Sequence, residues 1–195
     1  MTGSRTSMAL PAPSHLVDLL PGDRARDVGI VLSGAVLTGL AAQVAMPLPF
    51  TPVPLTLQTL AVLLVGAVTG PVRALLSMGV YVAAGLAGVP WFAGGASGTG
   101  GATFGYVVGF VVAAGVVGWL SQGARTRSPL RMAALMLLGN LVIYAIGVPW
   151  LALASGASIG TAASLGLLPF VAGDLVKTAA AAALLPVAWR LAHRR

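Results

Sequence analysis

Cysteine and glutamate are both absent from the 195 residues, and charged side chains make up only 8% of them. The lack of cysteine excludes disulfide bonds, thiolate metal ligands and cysteine nucleophiles. The acids are four aspartates, Asp18, Asp23, Asp27 and Asp174, and no group of histidines and aspartates has the spacing of a metal site. We therefore predict neither a metal ion nor a resident cofactor.

Motifs for nucleotide binding and hydrolysis are missing or out of context. No G-x-x-x-x-G-K-[ST] segment occurs, so if the chain takes part in active transport, the energy comes from elsewhere. A formal G-x-S-x-G match spans 156–160, but this motif needs a strand-to-helix turn and a histidine partner. It falls in a predicted outer loop, whereas His15 and His193 lie on the inner tails. The sequence predicts that the protein is not an enzyme.

Hydrophobic residues, by contrast, make up 57% of the chain, and the mean hydropathy is +0.95. These values are typical of an integral membrane protein. Apolar runs near the length of a membrane helix occur at 28–46, 55–68, 72–86, 106–120, 132–153 and 165–192. We predict an all-α bundle of about six transmembrane helices over 28–192, with an N-terminal tail over 1–27 and a basic C-terminal tail over 193–195.

The positions of the basic residues indicate how the chain is oriented in the membrane. They precede the first span, separate the second from the third and the fourth from the fifth, and follow the sixth: Arg5, Arg24, Arg26, Arg73, Arg125, Arg127, Arg131, Arg190, Arg194 and Arg195. Because Lys and Arg concentrate in cytoplasmic loops, both termini are predicted to be cytoplasmic. The net charge of +7 then reflects topology, and no nucleic-acid partner is expected. The Pro-rich loop 47–54, the Gly-rich loop 88–101 and the segment 155–164 lie outside.

Asp174 and Lys177 are the acid and the base that lie inside a long apolar run. Each costs roughly 2.5–3.5 kcal/mol at the centre of a membrane helix, so such residues usually face a cavity, a partner or a pathway. Their i, i+3 spacing puts them on one helix face. We interpret that face as the floor of a binding site; the alternative is an ion pair that only locks the helix to its neighbours.

The remaining candidates surround this floor. Trp91 and Phe92 supply stacking area, and Gly94 and Gly95 let the backbone approach a ligand. The helix-interior candidates Gln58, Asn140 and Tyr144 offer amide and hydroxyl groups. Such an inventory suits a small, mostly apolar molecule with a hydrogen-bonding head and an anionic end. The alternative is that the aromatics are ordinary interfacial residues and that the amides and the phenol only join neighbouring helices.

Four separated segments carry a family resemblance: VPLTLQTLAV at 53–62, GVPWFAGGASG at 88–98, TFGYVVGF at 103–110 and GDLVK at 173–177. Together they resemble the BioY family, the biotin-specific substrate-binding (S) components of energy-coupling-factor (ECF) vitamin transporters. The third segment adds Tyr106 to the candidate ligand residues. It also departs from the family's frequent Gly-Pro-Thr-Gly-Gly-Tyr, since this chain has Gly-Ala-Thr-Phe-Gly-Tyr at 101–106.

The resemblance implies biotin as the transported substrate and Asp174 and Lys177 as site residues. Asp174 is expected to accept from the ureido N–H groups, and Lys177 to neutralise Asp174; a direct contact of Lys177 with either end of biotin is left open. The resemblance also implies a transmembrane coupling protein and two cytoplasmic ATPase subunits as partners, in a bacterial cytoplasmic membrane. The first helix would dock through small residues such as Ala35 and Gly39. An S component for another vitamin, or a stand-alone carrier with Asp174 as proton site, remains the alternative.

Overall fold

The structure, a computed structural model, describes residues 15–19, 22, 24–99, 101–122 and 128–192. Residues 1–14, 20, 21 and 23 of the predicted N-terminal tail 1–27, the C-terminal tail 193–195 and the basic loop segment 123–127 lie outside the described residues. Most of the described chain is helical, as predicted, and the helices run in the following order: α1 Arg24–Gln43, α2 Gln58–Thr69, α3 Pro71–Leu86, α4 Phe104–Leu120, α5 Pro129–Ser155, α6 Ile159–Gly166 and α7 Val171–Ala192.

Three helical segments are long and apolar enough to cross a membrane: Arg24–Gln43, Pro129–Ser155 and Ile159–Ala188. The helices α2, α3 and α4 are apolar but shorter, with 12, 16 and 17 residues. Large apolar side chains cover much of the outside of the bundle, including Leu40, Val72 and Leu153, each more than 60% exposed. Such a surface is stable only in contact with lipid or another apolar partner.

The Pro-rich loop forms the turn of a small hairpin. Strand β1, Ala45–Met46, pairs antiparallel with β2, Leu55–Thr56. The predicted second span therefore starts too early, because residues 55 and 56 bond to a neighbouring strand and α2 begins only at Gln58. The hairpin holds the start of α2 beside the end of α1.

The predicted sixth span, 165–192, is wrong as one continuous helix. The chain instead forms α6, a 3₁₀ turn at Leu168–Phe170, and α7. Pro169 lacks a backbone N–H, so it starts a new turn in place of continuing α6. Ser158 caps α6 by accepting from the Thr161 amide at 3.1 Å, so most of the predicted outer loop 155–164 is helical. This break brings the beginning of α7 to the outer end of the bundle.

Glycines set the spacing between the central helices. A Cβ added to Gly66 would lie 2.7 Å from the carbonyl oxygen of Ala114, so α2 and α4 touch through their backbones. A Cβ at Gly109 would likewise meet the backbone of Ile143 on α5 at 3.1 Å. Close helix approach through small residues is typical of membrane bundles. Together, α2, α4 and α5 form the closed centre of the molecule.

Ion pairs fix the N-terminal turn, Leu16–Leu19, to the inner end of the bundle, the end that carries Arg73. The Arg73 guanidinium donates to Asp18 at 2.8 Å and to Asp27 at 3.2 Å. Partial burial alone would raise the pKa of Asp18, but its bonds to Arg73 and to the His15 amide hold that pKa below its usual value. The His15 ring lies 3.2 Å from the Gly118 carbonyl oxygen. Residues 15–19 therefore cover the inner end.

Replacing Gly66 with alanine tests the backbone contact between α2 and α4. The added methyl meets a carbonyl, which cannot move without shifting a helix, so we expect a loss of about 1–3 kcal/mol and a lower unfolding temperature in detergent. Gly79→Ala is the matched control, because nothing lies within 4 Å of its added Cβ. Equal unfolding temperatures for the two variants would contradict the proposed contact.

Candidate functional site

A cavity opens between the outer ends of the helices. Its empty space, with the open mouth included, is about 800 Å³. Its walls come from the hairpin, the Gly-rich loop, α2, α4, α5, α7 and the turns around α6. The lining residues are Val53, Pro54, Thr56, Gln58, Thr59, Phe92, Ala93, Ala96, Ser97, Gly98, Gly101, Thr103, Phe104, Tyr106, Val107, Phe110, Ile143, Tyr144, Gly166, Phe170, Asp174 and Lys177.

Asp174 lies at the centre of a hydrogen-bond network on the cavity floor. One carboxylate oxygen is 3.1 Å from the Lys177 ammonium and accepts from the Thr59 hydroxyl at 3.4 Å. The other accepts from the Tyr144 hydroxyl. Lys177 also donates to Thr59 at 2.9 Å. Three helices, α2, α5 and α7, are thus joined at one carboxylate.

This network leaves the carboxylate with capacity for a ligand. Asp174 is only 4% exposed, and a carboxylate has about four acceptor positions. Lys177, Thr59 and Tyr144 occupy three of them. A donor on a molecule in the cavity can take the fourth, where the hydrogen bond is charge-assisted and sheltered from water.

A second chain of hydrogen bonds links the cavity to the Gly-rich loop. The buried Gln58 lines the cavity and donates to the Tyr81 hydroxyl at 2.7 Å. The Trp91 indole donates to the Tyr81 carbonyl at 3.0 Å, and Gln43 donates to the Trp91 carbonyl at 3.1 Å. These bonds fix the residues just before Phe92, whose ring lines the cavity and packs edge-on against Tyr81.

Tyr106 lies on the α4 side of the cavity. Its hydroxyl donates to the Gly166 carbonyl at 2.9 Å, and its ring meets Tyr144 edge-on. Gly147 and Gly166 leave the space that this ring occupies, because a Cβ on either would overlap it. Tyr106 therefore lines the cavity with its hydroxyl already bonded.

Four predicted ligand residues do not line the cavity. Trp91 lies behind Phe92, against Gly39 and Tyr81. Gly94 and Gly95 have left-handed φ values of 70° and 74°, and both are exposed. Their neighbours Ala93 and Ala96 line the cavity instead.

Asn140 is the fourth predicted ligand residue that does not line the outer cavity. It lies one layer deeper, in a separate void that it shares with Lys177.

The predicted docking residues of α1 face inward. Ala35 has no exposed surface, and Gly39 is buried with its Cα against the Trp91 ring. The exposed face of the same helix instead carries Leu32, Val36 and Leu40. Docking through Ala35 and Gly39 therefore does not fit this structure, in which they pack α1 against α3 and the Gly-rich loop.

Thr59 was missed at the sequence level, although it touches both charged residues of the floor. Thr59 directly follows the candidate residue Gln58 in an apolar span. A hydroxyl next to a candidate amide was therefore the signal that could have indicated it. Phe104, Phe110 and Phe170 were also missed as lining residues; nothing distinguishes them in the sequence from other apolar positions.

The arrangement supports binding more than bond-making chemistry. Most of the wall is apolar, with one carboxylate, one ammonium and a few hydroxyl and amide groups at the floor and mouth. In the described part of the chain, no group of three or more histidine or acidic side chains could hold a metal ion. The site suits a compact, largely apolar molecule with N–H donors.

Comparison with known proteins gives a consistent result. The model of the BioY family matches residues 11–194. A "Probable biotin transporter BioY" of Pyrococcus horikoshii is 38% identical over 161 residues, 81% of this chain and 93% of the relative. A "Biotin transporter BioY" of Rhodobacter capsulatus is 37% identical over 167 residues, 78% of this chain and 87% of the relative.

A solved structure also resembles this one. The crystal structure of an S-component for biotin from an ECF-type ABC transporter superposes with a TM-score of 0.76 at 21% identity, covering 90% of this chain and 96% of the other. At that identity, the match shows a shared fold.

Replacing Lys177 with methionine tests the ion pair. The change leaves a buried carboxylate without its cation, which costs about 3–5 kcal/mol, so the unfolding temperature in detergent should fall clearly. The double variant Asp174→Asn, Lys177→Met removes both charges and should recover part of the loss. The exposed cation Arg24, changed to methionine, serves as control with little expected effect. A double variant no more stable than Lys177→Met would contradict charge coupling.

Proposed function

Since this chain belongs to the BioY family, we propose that it takes up biotin as the substrate-capturing S component of an ECF transporter. Biotin enters the outer cavity, and release occurs on the inner side. The chain lies in the cytoplasmic membrane as a multi-pass protein with both termini in the cytoplasm. The positions of its arginines support this orientation.

The observation that carries the proposal is the Asp174 carboxylate at the cavity floor, where three bonds leave one of its about four acceptor positions for a ligand. Biotin has a ureido ring with two N–H donors, an apolar thiophane ring and a valerate carboxylate. In our proposal a ureido N–H donates to Asp174 from the cavity side. Lys177 bonds Asp174 and Thr59, so its role is to pair with the carboxylate and orient it. The rings of Phe92, Tyr106 and Tyr144 surround the apolar part of the ligand.

The energy for inward release comes from partners in this account, because the sequence contains no P-loop motif. We propose a transmembrane coupling protein and two cytoplasmic ATPase subunits that hydrolyse ATP. The coupling protein would meet α1 on its exposed apolar row, Leu32, Val36 and Leu40, each at least 50% exposed. The row has the i, i+4 spacing of a helix-packing ridge.

Equilibrium binding of labelled biotin to the purified chain in detergent tests the proposal. Replacing Asp174 with asparagine removes a charge-assisted hydrogen bond worth about 1.5–3 kcal/mol, so we expect biotin affinity to fall roughly 10- to 150-fold. Tyr144→Phe keeps both charges and removes one hydrogen bond to the carboxylate. It should therefore weaken biotin binding less than Asp174→Asn does. Asp27→Asn, at the inner end, should bind like the unaltered chain.

A competition panel of other vitamins determines the substrate. Biotin is expected to displace the label and chemically unrelated vitamins are not. If the folded chain binds another vitamin and leaves biotin unbound, the S-component assignment stands and the biotin assignment fails. Tight biotin binding retained by a folded Asp174→Asn variant would move the site away from the cavity floor.

A further inference from the structure

A second, smaller void lies on the inner side of the cavity floor. Its polar lining consists of Thr59, Asn140, Lys177 and Thr178, and the remaining lining residues are apolar. Thr59 and Lys177 also line the outer cavity, so these two side chains form the partition between the two spaces. About 10 Å³ of the void is open to the centre of a water molecule, which is close to the minimum that one water requires.

Two polar atoms at this void lack partners. Among the described residues, no group hydrogen-bonds the Asn140 Oδ1 or the Thr178 hydroxyl oxygen, and both side chains are more than nine-tenths buried. Burying a polar group without a hydrogen bond costs about 1–3 kcal/mol. Two such groups around one small space therefore point to a shared polar occupant.

Thr178 also departs from a pattern that other hydroxyls in the chain follow. The hydroxyls of Thr38, Thr69, Ser77 and Ser155 each donate to the carbonyl four residues earlier, at 2.6–2.9 Å. This back-bond is the usual way to satisfy a hydroxyl inside a helix. Thr178, which also lies inside a helix, makes no such bond to the carbonyl four residues earlier on α7. Its hydroxyl is therefore available to a group outside its own helix.

Lys177 is the third polar residue at this void with unused hydrogen-bonding capacity. An ammonium has three N–H donors, and within the described chain Lys177 donates to Thr59 at 2.9 Å and to Asp174 at 3.1 Å. One N–H is left over, on a side chain that is 12% exposed and lines the void. Around the void there are thus one spare donor and two spare acceptors.

We propose that this void holds an ordered water molecule, which accepts from the Lys177 ammonium and donates to Asn140 Oδ1 and the Thr178 hydroxyl. Three hydrogen bonds are typical of a buried water. A metal cation is disfavoured by the adjacent ammonium, and an anion by the amide oxygen. Asn140 and Thr178 are then positioning residues, which hold Lys177 against Asp174 from below without touching the ligand.

The water affects the binding site because it helps to hold the Lys177 ammonium in place. Without it, the ammonium has one hydrogen bond fewer to hold it beside Asp174, while the bonds from Thr59 and Tyr144 remain. This assignment does not depend on which molecule occupies the outer cavity. Only its expected effect on biotin affinity rests on the proposed function.

Lys177 is the single lysine of the chain, so lysine labelled with ¹⁵N at the ammonium gives one side-chain NMR signal. In the ligand-free protein in detergent, we expect a nuclear Overhauser effect between this signal and a long-lived water. The double variant Asn140→Leu, Thr178→Val removes both acceptors and leaves Lys177 and the already bonded Thr59 as the polar lining. A buried water needs two to four hydrogen-bond partners, so the effect should disappear. Thr38→Val, which removes a buried hydroxyl far from the void, should retain it.

An absent effect in the folded unaltered chain would overturn the proposal, as would its persistence in the double variant, since the water would then lie elsewhere. These results require no ligand, so failure of biotin binding leaves them unchanged. In a chain that does bind biotin, the double variant should also bind it about 3- to 10-fold more weakly, and unchanged affinity would remove the positioning role.

A crystal structure of the unaltered chain with ordered solvent gives a test without any variant. Density for one water within hydrogen-bond distance of Lys177, Asn140 and Thr178 would support the assignment. A direct bond between Asn140 and Thr178, with no water between them, would contradict it.

Discussion

The binding region depends on one constraint, which is that the Asp174 carboxylate lies almost fully buried in an apolar helix bundle. A charge in such a place must be paired and hydrogen-bonded, because loss of its partner costs several kcal/mol. Lys177 supplies the cation from the same helix, and Thr59 and Tyr144 supply hydroxyls from α2 and α5. The carboxylate therefore fixes how three helices meet, and the place where they meet is the cavity floor.

The same bundle is closed below the floor and open above it, for reasons of sequence. Glycines such as Gly66 and Gly109 bring α2, α4 and α5 into backbone contact, which leaves little space in the centre. At the outer end, prolines and glycines interrupt the helices, and the hairpin, the Gly-rich loop and the turns around α6 separate them. The cavity forms where close packing stops, with polar groups at its base.

The sequence allowed prediction of the helical spans and the charged pair, because both depend on composition along the chain. It did not allow prediction of which face each residue occupies. In a membrane bundle both the lipid side and the core side of a helix are apolar, so periodicity does not reveal the rotation of α1 or α5. Ala35 and Gly39 were thus expected on the outside, and Asn140 in the cavity. The sequence also did not allow prediction of the break between α6 and α7. Pro169 begins a 3₁₀ turn there, but the surrounding residues form one apolar run that looks like a continuous helix.

The central claim is that Asp174 receives the head of biotin at the floor of the outer cavity. The most direct test is a crystal structure of the chain with bound biotin, at a resolution that distinguishes the ureido ring from the valerate chain. The account predicts a ureido nitrogen at about 2.7–2.9 Å from an Asp174 oxygen, with the Lys177 ammonium still beside the carboxylate. A valerate carboxylate bonded to Lys177, with the ureido ring away from Asp174, would contradict it.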